Sequence, residues 1–388
     1  MNFSGFVRHR TTIIPVPGFA TRPPLLLTIV LCVVATLTAC SAPPSVPPTP
    51  LPATVPADPA TATPLPPTAT LSPTATLSPE PSPTSTATST PSPTPFSGSP
   101  TATPTPFKSV GAIGVMIDND PNARPQTGLN AANVVYEIVA EFNLTRFLAI
   151  YFVDVPTTVG SIRSIRPYFA TAMTEYGGGL VHCLDVPGVA QVLDQGNVFN
   201  FDLCRGYGEE GAFRVSNRVA PFNLYVNASL LEGELRQRPP RPAAALLPRQ
   251  ALPGGATDAT GVSIVYPYDP AVYEHTVDWT WNGHVYERAQ DGAAHREANG
   301  SVVTTDVIVV QRATTLPTSF FGDAGYHIVD LIGSGDAIVL AGGKSLAARW
   351  KRTSIAQPTV FTTSAGQVLR LPPGRIFFEV VPSNAAVD

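Results

Sequence analysis

Glu137 and Glu141 stand four residues apart in VVYEIVAEF, and His182 lies in the apolar run LVHCLDV. On a strand, a spacing of four puts both carboxylates on one face, where they could hold a cation or divide acid and base roles over a scissile bond. The same glutamates could instead pair with Arg146 across a hairpin. Alternation would then turn Tyr136, Ile138 and Ala140 toward the core. His182 could act as a general base oriented by Asp185. Residues three apart on a strand face opposite sides, however, and a lone histidine in an apolar strand is more often a satisfied core residue.

A second group is cationic. Arg163 and Arg166 flank Ser164 in VGSIRSIRPYF, in a chain with only 13% charged residues. Pro167 suits the first helical position, so a helix starts there and its free N–H groups face the arginine turn. Guanidinium forks match carboxylate and phosphate, and Ser161 or Ser164 could cap the helix or bond the same anion. Cations at a helix N-terminus work against its dipole, so an anion must lie between them. It is either a ligand or an internal partner such as Glu137, Glu141 or Asp118. Asp118, Asn119 and Arg124 follow the first strand, where polar loops gather ligands. An Asx turn near Pro121 accounts for the acid and the amide as readily. The ligand-binding set is thus Asp118, Asn119, Arg124, Arg163, Ser164 and Arg166. The weaker catalytic candidates are Glu137, Glu141 and His182.

The elements that must position these residues fall into five segments. Residues 1–39 read as a signal peptide, with Arg8, Arg10 and Arg22 ahead of an apolar run from Leu25. The run is short for a membrane span and closes on Leu37-Thr38-Ala39-Cys40, which resembles the lipobox of bacterial lipoproteins. That resemblance implies a lipid on Cys40 and a mature protein held at the outer face of the cell membrane. Residues 40–108 are Pro, Thr, Ser and Ala with a recurring TATLSP, a disordered, extended stalk. Residues 109–235 alternate strands and helices: Ala112–Asp118, a hairpin of Asn133–Phe142 with Thr145–Asp154, a helix Pro167–Tyr176, a strand Leu180–Val186 and a short helix to Gln195. This is an α/β (or α+β) domain. Residues 236–260 form a Pro-rich connecting loop. Residues 261–388 are short alternating runs split at Asn282-Gly283, Gly333-Ser334-Gly335, Gly342-Gly343 and Ala365-Gly366, a mostly antiparallel β domain of small barrel or sandwich type.

Several classes are excluded. A net charge of −4 without a basic run argues against nucleic acid. Scattered histidines and cysteines without metal spacing give no metal and no cofactor. GSGDAIVLAGGK lacks phosphate-loop spacing, and no serine sits in GxSxG. Cys183 and Cys204 are an even pair in an exported chain, either a disulfide or two thiols that never meet.

The motifs VMIDNDPNARPQTGL, VVYEIVAEFNLTRFLAIY, VGSIRSIRPYF and RVAPFNLY, in that order, together with the C-terminal stretch from GSGDAIVLAGGK to RIFFEVVP, resemble the YerB-like lipoproteins, domain of unknown function 3048. The resemblance spans Gly111 to Pro382 and implies a secreted or lipid-anchored bacterial protein without an assigned activity. Three positions depart from the family pattern. Ser161 stands where proline is common, Phe222 where histidine is usual, and His182-Cys183-Leu184-Asp185 where a glycine-rich motif follows the strand. Loss of that histidine counts against catalysis. Two functions stay open at this point. One is a non-catalytic ligand-binding or scaffold module with an arginine-lined site for an anionic small molecule or envelope component. The other is a hydrolase of cell-wall or surface glycan using Glu137, Glu141 or His182. The reading leans to the first.

Overall fold

The computed structural model describes residues 112–152, 154–206, 209–236, 249–266, 274–318 and 325–388. Cys40, the signal segment and the Pro/Thr/Ser-rich stretch lie outside these described residues. The first half supplies β1 (Ile113–Asp118), β2 (Val134–Val139), β3 (Thr145–Tyr151), β4 (Val159–Gly160), α1 (Pro167–Met173), β5 (Gly179–His182), α2 (Val189–Gln195), β6 (Phe199–Asp202), β7 (Ala212–Arg214), β8 (Leu224–Val226) and α3 (Ala228–Arg236). The next stretch adds β9 (Thr257–Asp258), β10 (Gly261–Tyr266), β11 (His275–Trp281), β12 (Tyr286–Gln290), β13 (Ala293–Ala294), β14 (Thr304–Thr305), β15 (Val307–Ala313), β16 (Thr315–Thr318) and β17 (Tyr326–Val329). Last come β18 (Gly333–Ala341), β19 (Lys344–Arg352), β20 (Val360–Thr363), β21 (Val368–Leu369), β22 (Ile376–Pro382) and β23 (Ala386–Val387).

One large sheet runs in the order β21-β20-β19-β18-β15-β22-β2-β3-β1-β5-β6, with β9 added on β19. Strands from both halves of the chain therefore share it. The seam is β22 against β2, parallel, from Val134↔Ile376 to Ile138↔Val380. A smaller sheet, β13-β12-β11-β10-β23 with β14 on β12, covers one face of the seam. There Trp279 meets Phe377 edge-on at 4.9 Å. α1 and α2 lie together on the other face, where the Tyr168 hydroxyl donates to Val139 O at 2.8 Å.

Because both faces are covered, β1, β2, β3 and β22 are buried at every residue. This corrects the picture of β2 as a strand with one core face and one polar face. The described residues are mostly strand with few helices, the longest nine residues, so the first half carries less helix than an α/β domain implies. The C-terminal part is built of antiparallel sheets, apart from the parallel ladders that β22 makes with β15 and β2.

Glycines explain two boundaries. α1 stops at Met173, ahead of the expected Tyr176, and the chain turns through Gly177 and Gly178 at positive φ. A Cβ on Gly178 would sit 2.0 Å from Ala112 O. Gly333-Ser334-Gly335, expected as a turn, instead begins β18. At Gly335 a Cβ would lie 2.4 Å from Arg312 O, so this glycine allows close packing of strand backbone and does not reverse the chain.

Candidate functional site: an arginine wedge and a buried ionic core

The segment after β4 does more than start a helix. Asp118 N donates to Ser161 O and Arg163 N to Met116 O, while Cys183 N donates to Arg163 O and Ile165 N to Leu184 O. β1 and β5 pair directly only from Ile113↔Gly179 to Val115↔Val181. Residues 161–165 thus wedge between the two strands where they separate, and satisfy backbone groups on both. Beyond the wedge, Cys183 and Cys204 form a disulfide, Cα atoms 5.0 Å apart, tying the residues after β5 to those after edge strand β6.

The wedge carries its arginines to internal acids. Arg163 Nε lies 2.8 Å from Asp118 Oδ2, and its guanidinium stacks over the Phe222 ring at 5.3 Å. Burial raises the Asp118 carboxyl above its ordinary value, against the lowering influence of Arg146 and Arg163. Arg166 is the N-cap of α1 and bonds Glu141, Ile165 O and the face of Tyr326. The second oxygen of Glu141 accepts from Arg146 Nη2 at 2.6 Å, and Arg146 Nη1 donates to Ser164 O at 3.0 Å. Burial opposes ionisation of Glu141, but the two guanidiniums outweigh it and hold the carboxyl below its ordinary value. Ser164 therefore contributes its carbonyl. Neither serine caps α1, and the Ser161 hydroxyl is buried without a hydrogen-bond partner among the described residues.

Glu137 is elsewhere. β2 ends at Val139, and Ala140 leaves strand geometry (φ −120, ψ −139), so Glu141 falls in a 3-10 turn. The count of two strand periods breaks there, and the two glutamates occupy opposite faces of the sheet. Glu137 points between the sheets, fully buried. Its Oε1 accepts from Thr145 Oγ1 at 2.6 Å, His275 Nε2 at 2.8 Å and Asn119 Nδ2 at 3.2 Å; its Oε2 accepts from Arg288. Asn119 thus faces away from Asp118. Arg124 donates to Asn119 O and pairs with Asp291 at 2.6 Å. The six ligand candidates do not converge on one spot.

Directly across the seam from Glu137 stands Glu379, also fully buried. It accepts from Tyr266 OH and Trp279 Nε1, each at 2.8 Å, and Arg288 Nε is 3.9 Å away. One arginine is thus placed beside two adjacent glutamates, among the rings of Phe147, Trp279 and Phe377. Burial and the charge of Glu137 push Glu379 up to about 8. Glu137 meets the same burial, but Arg288 and His275 hold it far below the usual carboxylate range. Both ring nitrogens of His275 face carboxylates, Asp291 Oδ1 at 2.9 Å and Glu137 Oε1 at 2.8 Å. Both therefore carry protons. Burial disfavours that cation, yet its acidic partners raise it above the ordinary histidine value. His295, 2.6 Å from Arg288 and 2.8 Å from Gln126, is held neutral by burial and by the arginine.

His182 is fully buried, with Nδ1 3.1 Å from Leu184 O and Nε2 2.6 Å from the Asn200 amide. Burial lowers it, so it is neutral. Asp185 pairs with Arg205 instead. Sequence reasoning missed His275, Arg288, His295 and Glu379, and Gln290, which accepts from Arg288 and donates to Asn119 Oδ1 at 3.0 Å. One signal was available: Glu379 is a lone acid within the apolar run RIFFEVVP.

The class this geometry defines is a two-part β-rich protein whose halves complete one sheet around a buried Glu–Arg–Glu group. Residues 97–241 match the N-terminal domain, and residues 264–378 the C-terminal domain, of the family described as protein of unknown function (DUF3048). The chain belongs to that family. It is similar to the Bacillus subtilis (strain 168) protein named "Putative lipoprotein YerB", with 28% identity over 293 residues, 71% of this chain and 82% of the relative. The crystal structure of the Bacillus subtilis YerB protein aligns with a TM-score of 0.61 at 25% identity, covering 73% of this chain and 96% of that one.

Proposed function

We propose that this chain is a lipid-anchored extracytoplasmic protein of the bacterial cell envelope, working as a non-catalytic binding or scaffold module. The observation that carries the reading is the commitment of the acid/base candidates. Glu137, Glu141 and His182 are at most 7% exposed, and each is bonded to internal partners. A glycan hydrolase needs such groups facing a cleft with room for substrate and water. Anchoring draws support from Leu37-Thr38-Ala39-Cys40 and from the named relative. The stretch from 41 to 108 then sets distance from the bilayer. An anion site, in this reading, narrows to Arg163, whose side chain is 26% exposed above Phe222 while Arg166 is closed in.

Cell fractionation with labelled palmitate tests the anchor. The full chain should carry label in the membrane fraction, and Cys40→Ser should lose the label and become soluble. Incubating the purified full chain with peptidoglycan sacculi and surface glycan tests the absence of catalysis. Reproducible fragment release that disappears in Glu141→Gln, with circular dichroism unchanged, overturns that half of the reading.

A further inference from the structure

On the face of the large sheet opposite Glu137 and Glu379, Tyr136 and Phe378 stack with ring centres 4.3 Å apart. With Tyr176 and Phe361 they line a cavity of ≈ 50 Å³, whose wall also includes Glu175 and Arg249. The Tyr136 and Tyr176 hydroxyls lie 2.8 Å apart, and each residue is 4% exposed. Burial holds both phenols above their ordinary value, so both are protonated. Two phenols have two protons, and their mutual hydrogen bond uses one. The other O–H has no acceptor among the described residues, an arrangement buried donors rarely keep.

Arg249 adds a second donor set. It makes no ion pair with the described residues, and desolvation, opposed by the two phenols, lowers its guanidinium from the ordinary value. The residue is exposed overall, yet it lines the cavity and its charge interacts with both phenols. Glu175 is not available to it. Its oxygens accept from Thr359 N at 3.0 Å and Thr359 Oγ1 at 2.6 Å, and Arg352 lies 3.2 Å away. One O–H without an acceptor and an arginine without an ion pair among the described residues, together with aromatic walls, point to an acceptor that is small, charged and attached to something apolar. The enclosed volume is far below the several hundred Å³ of a drug-sized site, so it holds a head group while the remainder extends through the mouth.

We propose that this cavity takes the carboxylate of an organic acid with an apolar body, held between Arg249 and the Tyr136–Tyr176 phenol pair. The site is separate from the arginine wedge and does not depend on envelope anchoring. Isothermal titration of the full-length chain with benzoate, and with benzyl alcohol as the neutral counterpart, tests it. Benzoate should bind at least about tenfold more tightly than the alcohol, the margin of one charge-assisted hydrogen bond. Arg249→Gln should remove that margin without moving the thermal unfolding midpoint, and Tyr176→Phe should weaken benzoate several-fold. Equal binding of alcohol and acid, no benzoate binding to the wild-type chain, or full benzoate affinity in Arg249→Gln would each overturn the assignment.

Discussion

Replacing Glu379 with glutamine separates the roles of the two buried glutamates. Folding takes the Glu379 carboxyl from 4.5, its unperturbed value, up to about 8. Between those values the folded protein keeps a proton that the unfolded chain has released, so stability falls as pH rises. Each pH unit is worth about 1.4 kcal/mol, and the full span about 5 kcal/mol. Glutamine keeps a carbonyl for Trp279 Nε1, turns its NH2 to the Tyr266 hydroxyl, which can accept, and has no proton to lose. Urea unfolding at pH 5, 7 and 8.5, followed by tryptophan fluorescence, should place Glu379→Gln within about 1 kcal/mol of wild type at pH 5. At pH 8.5 the variant should be the more stable, by several kcal/mol. His275 also loses stabilisation as pH rises through its elevated value, but it does so in both proteins and drops out of the difference. Glu137→Gln should behave in the opposite sense, because it removes the carboxylate that Arg288 and His275 share and leaves Arg288 with Glu379 at 3.9 Å and His275 with Asp291 at 2.9 Å. A loss of about 3–5 kcal/mol at pH 7 is expected. A Glu379→Gln difference that stays constant from pH 5 to 8.5, or a variant as damaged as Glu137→Gln at pH 5, would refute the assignment of the proton to Glu379.

Glu141→Gln should cost about 3 kcal/mol in urea unfolding at pH 7, since Arg146 and Arg166 lose their common acid. The Glu141 contribution is present above 4.5 and disappears as pH falls through its lowered folded value, so the variant and wild type should converge in acid. Reducing Cys183–Cys204 opens a loop with a sequence separation of 21 and should lower stability by about 3 kcal/mol, read as a shift in the urea midpoint against the oxidised protein. Gly178→Ala meets Ala112 O at 2.0 Å with φ +74 and should cost at least about 2 kcal/mol. Gly254→Ala, with nothing within 4 Å, should leave the melting temperature in place.

Local structure was legible where period and punctuation agreed. IGVMID, TRFLAIY and the turns at Asn282-Gly283 and Gly342-Gly343 stand where alternation and glycine put them. Pro167 opens α1 as its fixed φ requires. Long-range pairing left no local trace. Nothing in RIFFEVVP says that it lies parallel to VVYEIV, so the facing of Glu137 and Glu379 could not be read. The strand count failed at Ala140 because one non-strand residue resets parity, and this moved Glu141 to the helix side. The inference that the wedge arginines need an anion was sound physically, and Asp118 and Glu141 are the acids beside them.

The position of β22 also sets the order in which the molecule can be completed. β2 has β3 on one side, and on the other it waits for residues about 240 positions further along the chain, a closure that is slow even though its entropy grows only logarithmically. Until then an apolar strand edge stays unpaired, a template for another chain, and Glu137 lacks Glu379, its neighbour across the seam. The first half therefore cannot complete its sheet without the second. A chain interrupted before Ile376 would keep that edge open even with His275 and Arg288 in hand, so the two halves become one sheet only when their last long strand is in place.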